Sequence, residues 1–316
     1  MRLSVIIVNW NVRDLLRRCL QSLRADLQLP PDDYEIIVVD NASRDGSAAM
    51  LRAEFPDVRL IESAVNLGFG AGCNKAYRES KGAFVLLLNP DTEAIDHVVD
   101  ALLAIMRERP RAGIVAPRLV NADRTFHKAS GGALPTLANV AWHYLFIKNV
   151  LPAALGPAPL FLEDGARGLD AIGWVSGASM MLRREAIGPR IFDEAFFMFG
   201  EDMDVCDRVR RDGWEVLYAG ELAIVHHHGR SFDQQPSLEV RACAHEGPRR
   251  VFAKRRGRAS VFLYDLIVVA GYLARWGLYR LLSWLRPGKG YAKRADFCRG
   301  YVEAVRYSRR RAAAAG

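Results

Sequence analysis

The 316-residue chain suits one large domain or two coupled ones, and a composition of 50% apolar and 25% charged residues excludes a disordered or fibrous protein. Five scattered cysteines (Cys19, Cys73, Cys206, Cys243, Cys298) form neither a zinc spacing nor a disulfide framework, and read as free thiols in a reducing compartment. The net charge of +8 is uneven: residues 249–316 carry 17 Lys and Arg against three acids, a balance of +14 that leaves −6 on residues 1–248. Such a tail points to a polyanion partner, nucleic acid or anionic lipid, or to a solvated basic segment.

The chain opens on "LSVIIV" (3–8), which is short and meets Asn9-Trp10-Asn11 without a small-residue cleavage site. It reads as a first strand rather than a signal peptide. "DLLRRCLQSLRADL" places Leu15, Leu16, Cys19, Leu20 and Leu23 at helical spacing behind an Asp14 cap. "YEIIVVD" is a second strand, "SRDGSAAMLRAEF" a short helix after a turn, and "VRLIES" a third strand. "GFGAGCNKAYRES" is a glycine turn entering a helix, and "AFVLLLNPD" a fourth strand. Strictly alternating βα units predict a doubly wound, mostly parallel sheet, whose ligands sit at the carboxyl ends of strands. Those ends carry Asn9, Asp40 and Asp91.

Beyond Asp91, "HVVDALLAIMRE" is a helix and "AGIVAPRLV" a strand. Residues 121–170 are rich in Pro, Gly and Ala, with one helix expected around 142–150, and read as a substrate loop. "GWVSGASMMLRREA" resumes strand and helix, and a loop opens into a helix near Glu201. "EVLYAG" and "LAIVHHHG" read as two short strands.

Each polar cluster has a chemical reading and a structural one. Asp40 can accept hydrogen bonds from a base or ribose, or cap the segment after it. The glycines of "NLGFGAGCN" follow the third strand rather than the first, so they allow close packing more simply than they mark a dinucleotide fingerprint. In Asn89-Pro90-Asp91 the proline ends the ladder and the aspartate projects at the ligand edge. There it suits Mg²⁺ or Mn²⁺ on a diphosphate, or caps a turn. Glu201 and Asp202 are favoured by a helix dipole, and an acid beside "FFMF" can also be a base of tuned pKa. His226 and His228 share one face of a strand while His227 points away; they are metal ligands or solvated side chains.

As an ordered set, "SVIIVNWN", "IIVVDNAS", "NLGFGAGCN", "LLLNPDTE", "VSGASMMLRREA", "FDEAFFMFGEDMDVCDRVRRDGW" and "IVHHHGRS" resemble the family 2 glycosyltransferases of the GT-A fold, most closely the bacterial rhamnosyltransferase-like members, over residues 3–232. The resemblance implies an inverting transferase with a nucleotide-sugar-binding half at 1–95, an acceptor-binding half at 96–248 and a basic helical tail at 249–316. It puts the donor's base at Asp40 and the nucleotide pocket at Val8, Trp10 and Asn11. Asn41 stands where many relatives carry a second Asp, and Asn66, Asn74 and Asn89 fall in donor-binding blocks. Asn89-Pro90-Asp91 replaces the DxD-type motif, so Asp91 alone keeps the carboxylate for Mg²⁺ or Mn²⁺, with His226 as a second contact. Asp202 takes the role of base beside Glu201, and Trp174, Ser176 and Gly177 border the acceptor. The implied donor is dTDP-rhamnose, with a UDP-hexose as the alternative. The implied acceptor is a glycan or lipid-linked oligosaccharide of surface polysaccharide synthesis. A non-catalytic nucleotide-sugar-binding module is disfavoured by the presence of both Asp91 and Asp202.

In the tail, "VFLYDLIVVAGYLARWGLYRLLSWL" (261–285) has an uncharged run of only nine residues, Leu266 to Ala274. Arg258, Asp265, Arg275, Arg280, Ser283 and Arg286 fall in one sector of about 140°. This predicts a helix in the plane of the membrane, with Trp and Tyr at headgroup level and its arginines on anionic lipid, or else a helix packed on the catalytic domain; a second basic helix follows. The expected location is the cytoplasmic face of the cell membrane. No RNA or DNA motif accompanies the basic residues, so nucleic acid is not an expected partner.

Overall fold

A computed structural model describes residues 2–227 and 237–314. The chain forms two compact units, Met1–Gly132 with Phe161–Arg230, and Ala133–Leu160 with Ser231–Gly316.

The first unit begins with the alternation read from the sequence: β1 (Leu3–Asn9), α1 (Arg13–Asp26), β2 (Tyr34–Asp40), α2 (Ser47–Glu54), β3 (Arg59–Glu62), α3 (Phe69–Glu79) and β4 (Phe84–Leu88). It continues through β5 (Thr92–Glu93), α4 (Val98–Glu108), β6 (Ala112–Val120) and β7 (Gly131–Gly132). The helix α5 (Leu137–Tyr144) belongs to the second unit. The first unit resumes with β8 (Leu169–Ala171), β9 (Trp174–Val175), β10 (Ser179–Arg183), α6 (Arg184–Ile187), α7 (Glu201–Arg211) and β11 (Glu215–His226).

The main sheet runs β3-β2-β1-β4-β10-β6-β11-β5, with β8 also on β11. Pairing is parallel across β3, β2, β1 and β4 and between β6 and β11; β10 lies antiparallel between β4 and β6. The fold is therefore α/β with a mixed, mostly parallel sheet. Strands β1, β2 and β4 are nearly continuous apolar runs because both of their faces are covered. Val5 and Ile7 join one cluster with Leu16, Leu20 and Leu23 of α1 and Leu102, Leu103 and Met106 of α4. Val8, on the opposite face, meets α3, which packs on β1 and β2.

Several local expectations are corrected. Asp14 does not cap α1: Val12 is the N-cap, and Asp14 lies in the first turn bonded to Arg17 at 2.7 Å. The two strands expected after Trp214 are one strand, β11, whose register against β6 shifts between Ala219 and Ala223. The helix expected at 142–150 starts at Leu137, because Thr136 and Asn139 form a reciprocal capping box, and ends where Phe146 turns left-handed at φ +62°.

In the second unit, α5 is joined by α8 (Leu238–Arg255), α9 (Arg258–Leu285) and α10 (Tyr291–Ala314). Two of the charged residues expected on the lipid side of α9, Asp265 and Arg275, turn inward instead, while Arg280 and Arg286 stay exposed. Asp265 is 2% exposed and accepts a 2.7 Å bond from Arg249 Nε on α8, with His245 Nε2 at 3.5 Å. Burial raises the Asp265 carboxyl pKa, but the bonds from His245 and Arg249 outweigh it and leave the group below its ordinary range. Arg275 donates to the His143 and Tyr144 carbonyls at the end of α5, where a cation suits the helix dipole. The stretch Ala259–Leu285 is long and apolar enough to cross a membrane; its most apolar 18 residues have mean hydropathy 1.5, and 22% of them are buried.

Candidate active site

All the site residues named from the sequence lie in the first unit. Asp40 ends β2 beside Asn9 of β1, and its carboxylate is held from both sides. Asn9 Nδ2 donates to Oδ1 at 2.9 Å, and the Ser43 N–H donates to Oδ2 at 3.0 Å. Ser43 is a hub: its hydroxyl accepts from Asn9 Nδ2 and from the Asn11 N–H. Asn11, left-handed at φ +54°, accepts the Arg44 N–H on its side-chain oxygen. This arch leaves Trp10 51% exposed beside the buried Val8 and Asp40. Each carboxylate oxygen retains a lone pair for a ligand.

The glycine turn is packed, not open. Asn41 donates to the Gly68 carbonyl at 3.0 Å, and Asn66 accepts the Gly68 N–H at 2.9 Å. Gly68 sits at φ +81°, and a Cβ there would lie 2.6 Å from the Phe197 carbonyl oxygen, so only glycine fits. Asn74 is 1% exposed. Its oxygen accepts the Ile191 and Phe192 N–H groups, and its amide donates to the Phe192 carbonyl and to Glu194. It is a clamp on residues 191–194, the segment that leads to α7.

At the other strand ends, the ladder of β5 on β11 pairs Thr92 with His226 and Glu93 with Val225. That register brings Asp91 Oδ1 to 3.2 Å from His226 Nε2, both side chains nearly buried. It also brings His227 Nε2 to 2.7 Å from Glu93, 134 residues away. His127 stands edge-on to His226 with ring centroids 5.5 Å apart. Asn89 is half-buried; its backbone N–H donates to Ala178 and its carbonyl accepts from Thr92. His228 lies outside the described residues.

The acids at the start of α7 follow two left-handed residues, Phe199 at φ +68° and Gly200 at φ +86°. Phe199 is a non-glycine in that region, a conformation that costs about 1 kcal/mol or more and recurs at functional sites. Asp202 is half-buried; one oxygen accepts its neighbour Met203 N–H at 2.8 Å and the other accepts Gly177 N–H at 3.3 Å. Burial raises its pKa. Glu201 is 6% exposed with Oε2 buried and unbonded; burial, then the charge of Asp202, pushes it up to about 8. Ser176 spans toward β7, its N–H donating to Ser130. Trp174 is 3% exposed and packs edge-on against Phe161 at 5.9 Å, so it forms floor rather than open wall.

A family model, "Glycosyl transferase family 2", matches residues 4–187, more than half the chain. The chain belongs to glycosyltransferase family 2. The matched span contains the Asp40 arch, the glycine turn and Asp91. This glycosyltransferase is 29% identical over 263 residues to an N-acetylglucosaminyl-diphospho-decaprenol L-rhamnosyltransferase of Mycobacterium tuberculosis, covering 76% of this chain and 80% of the relative. It is 26% identical to rhamnosyltransferase WbbL of Escherichia coli, covering 72% and 85%. Among solved structures, the mannosyltransferase PcManGT of Pyrobaculum calidifontis, in complex with GDP-Man and Mn²⁺, superposes with a TM-score of 0.61 at 17% identity, over 97% of this chain and 86% of that one. GalNAc-T7 with UDP, GalNAc and Mn²⁺ gives a TM-score of 0.56 at 16% identity, over 81% and 50%. These likenesses confirm the GT-A-type fold.

Asp91 and His226 supply two of the donors that a divalent cation takes. The 3.2 Å between Asp91 Oδ1 and His226 Nε2 is close to the ~3 Å between adjacent ligands of an octahedral ion with ~2.1 Å bonds. A nitrogen donor suits a transition metal such as Mn²⁺ better than Mg²⁺, which takes oxygen. Among the described residues there is no group of three or more His, Cys, Asp or Glu that could hold an ion.

Sequence reasoning missed Ser43, the Glu93–His227 pair and the tie from Gly177 to Asp202. A serine three residues past a strand-end Asp is a local turn signal that was available. The other two depend on register between distant segments, which leaves no local signal.

Proposed function

We propose that this family 2 glycosyltransferase moves a sugar, with inversion, from a nucleotide-sugar donor to a hydroxyl of a glycan or lipid-linked oligosaccharide. The observation that carries the reading is the convergence at one sheet edge of the Asp40 arch and the Asp91–His226 pair, as a donor with a base and a diphosphate requires. Asp40 accepts from the base, Val8, Trp10 and Asn11 border the nucleotide, and Asn41 and Asn66 shape the turn around it. Asn89, Asp91 and His226 are the groups available to Mg²⁺ or Mn²⁺, which when bound offsets the charge of the departing diphosphate.

Asp202 accepts the proton of the acceptor hydroxyl, and the Gly177 N–H holds the carboxylate in place. The freed oxygen forms the new bond to the anomeric carbon while the bond to the diphosphate oxygen breaks and its electron pair leaves with the nucleotide. A base of raised pKa is a stronger proton acceptor, and burial supplies that rise. Ser176 borders the acceptor, with Trp174 beneath it.

The relatives' names support L-rhamnose as the sugar and a polyprenyl diphosphate-linked acceptor. A UDP-hexose donor is the second reading, since solved relatives of the same fold bind UDP sugars. The acceptor and the +14 tail together support a peripheral location on the inner face of the cell membrane. The test is nucleotide diphosphate release from a panel of nucleotide sugars with Mn²⁺ or Mg²⁺, with and without chelator. Release from dTDP-rhamnose alone is the expected result. Absence of both release and calorimetric binding across the panel would overturn the donor-site reading.

A further inference from the structure

Helix α9 is built the opposite way round to a helix of a water-facing bundle. Its single acid, Asp265, and its Arg275 face inward, onto α8 and the end of α5. Inward too are Tyr264 and Val268, and α10 packs along the same helix. What remains outside is mainly apolar, with Arg280 exposed among it. At 100° per residue Phe262, Leu266, Leu273, Leu281 and Trp284 fall within about 100° of one another. All five are exposed, Trp284 by 79%, and the stripe runs about 33 Å at 1.5 Å per residue. A contiguous exposed apolar surface on this scale marks an interaction site.

The surroundings of the stripe say what covers it. Around its carboxyl end lie the exposed cations Arg280, Arg286, Lys289 and Lys293. No acid stands on the exposed face of α9, and the exposed acids of α10 are only Asp296 and Glu303, so a second copy laid on the stripe brings little counter-charge for this collar. Anionic lipid does, and Trp beside Lys and Arg is the composition of the headgroup level. A spanning helix is disfavoured, because α9 holds a buried ion cluster on one side and three protein helices pack on it.

We propose that α9 lies flat in the surface of an anionic membrane, its stripe from Phe262 to Trp284 among the upper acyl chains and the cations beside Trp284 on lipid phosphates. The proposal rests on the reading of a membrane-held acceptor and goes further: the apolar face docks, while Asp265 and Arg275 are internal struts that never touch lipid. It keeps Arg280 and Arg286 on the lipid, as expected from the sequence, but takes Asp265 and Arg275 away from it.

The test is flotation of the full chain with vesicles of phosphatidylcholine alone or with 30% phosphatidylglycerol (about that fraction suffices for a strong surface potential). The wild type is expected to float with the anionic vesicles and to bind them at least tenfold better than the neutral ones. Leu273→Glu with Leu281→Glu is expected to remove flotation while leaving the circular dichroism and melting temperature unchanged, since both side chains face outward. Arg286→Glu with Lys289→Glu removes the preference for anionic vesicles. A wild type that stays at the bottom of both gradients overturns the docking, as does flotation undiminished in the Leu→Glu variant. A wild-type dimer that the Leu→Glu variant converts to monomer gives the stripe to a second copy and also overturns it. Donor hydrolysis without vesicles is measured in parallel. Its absence in the wild type, together with absent calorimetric binding of the donors, sinks the donor-site reading alone, because flotation reads α9 and not the sugar site.

Discussion

Glu201 and Asp202 are neighbours in the chain, yet their surroundings differ. Asp202 has two backbone N–H donors and a half-open position, whereas Glu201 has a buried oxygen without a donor. The sign of the pH effect follows. Between the ordinary 4.5 and about 8, folded Glu201 keeps a proton that the unfolded chain has released. Its contribution is therefore intact below the lower value and lost as pH rises through the upper one. Glu201→Gln removes that loss, so the variant should gain on the wild type by on the order of 3 kcal/mol between pH 5 and 8.5, read from urea midpoints. A gap that stays constant across that range would mean Glu201 is ionised when folded. Asp202→Asn tests the base itself: turnover should fall about 10²- to 10⁴-fold with a modest fall in melting temperature, because the amide keeps one oxygen for the Gly177 or the Met203 N–H but not for both.

At the scale of elements, what sets the site is the pairing of distant segments. Asn74 on α3 satisfies two buried N–H groups at 191 and 192, and so fixes the approach to Phe199 and Gly200 before α7. Asn74→Ala strands those donors and should cost about 2–4 kcal/mol in urea unfolding, with turnover falling together with stability. Asn74→Asp keeps the acceptor but sets a buried carboxylate against the Phe192 carbonyl and Glu194, so it should also destabilise. The strand-end acids were legible in the sequence, because a five-residue apolar run that stops at Asn89-Pro90-Asp91 can only be a buried strand leaving a sheet. His226 was legible for the same reason at the end of β11. The pairing of His227 with Glu93 was not, since alternation says that it points away from its neighbour but not which strand lies there. Asn74 looked like a donor contact within a glycine block; its partners are more than 110 residues away. For α9 the wheel separated a charged from an apolar face, but which face turns inward depends on α5 and α8 supplying carbonyls and an arginine, which no local pattern records.

At the scale of the molecule, charge and apolar surface are divided between the two ends of the chain. Residues 1–248 carry −6 and the rest +14, so an anionic surface attracts the tail while it repels the sugar-handling part. Ionic strength separates the contributions. Raising salt from 0.05 to 0.5 M shortens the screening length from above 10 Å to a few ångströms, which removes most of the attraction of the exposed cations for lipid. The apolar stripe of α9 is indifferent to that change. Vesicle binding should therefore fall several-fold with salt and then level off above zero, and the plateau should vanish in the Leu273→Glu, Leu281→Glu variant. Binding that falls to nothing in the wild type would mean that charge alone holds the enzyme to the surface. Sugar transfer to a water-soluble acceptor, read as nucleotide diphosphate release, should change less than twofold across the same salt range, since Asp40, Asp91 and His226 are buried side chains screened far less than the tail. A parallel collapse of both activities would tie the sugar site to the charge of the tail, and would make the enzyme's hold on the membrane part of its chemistry.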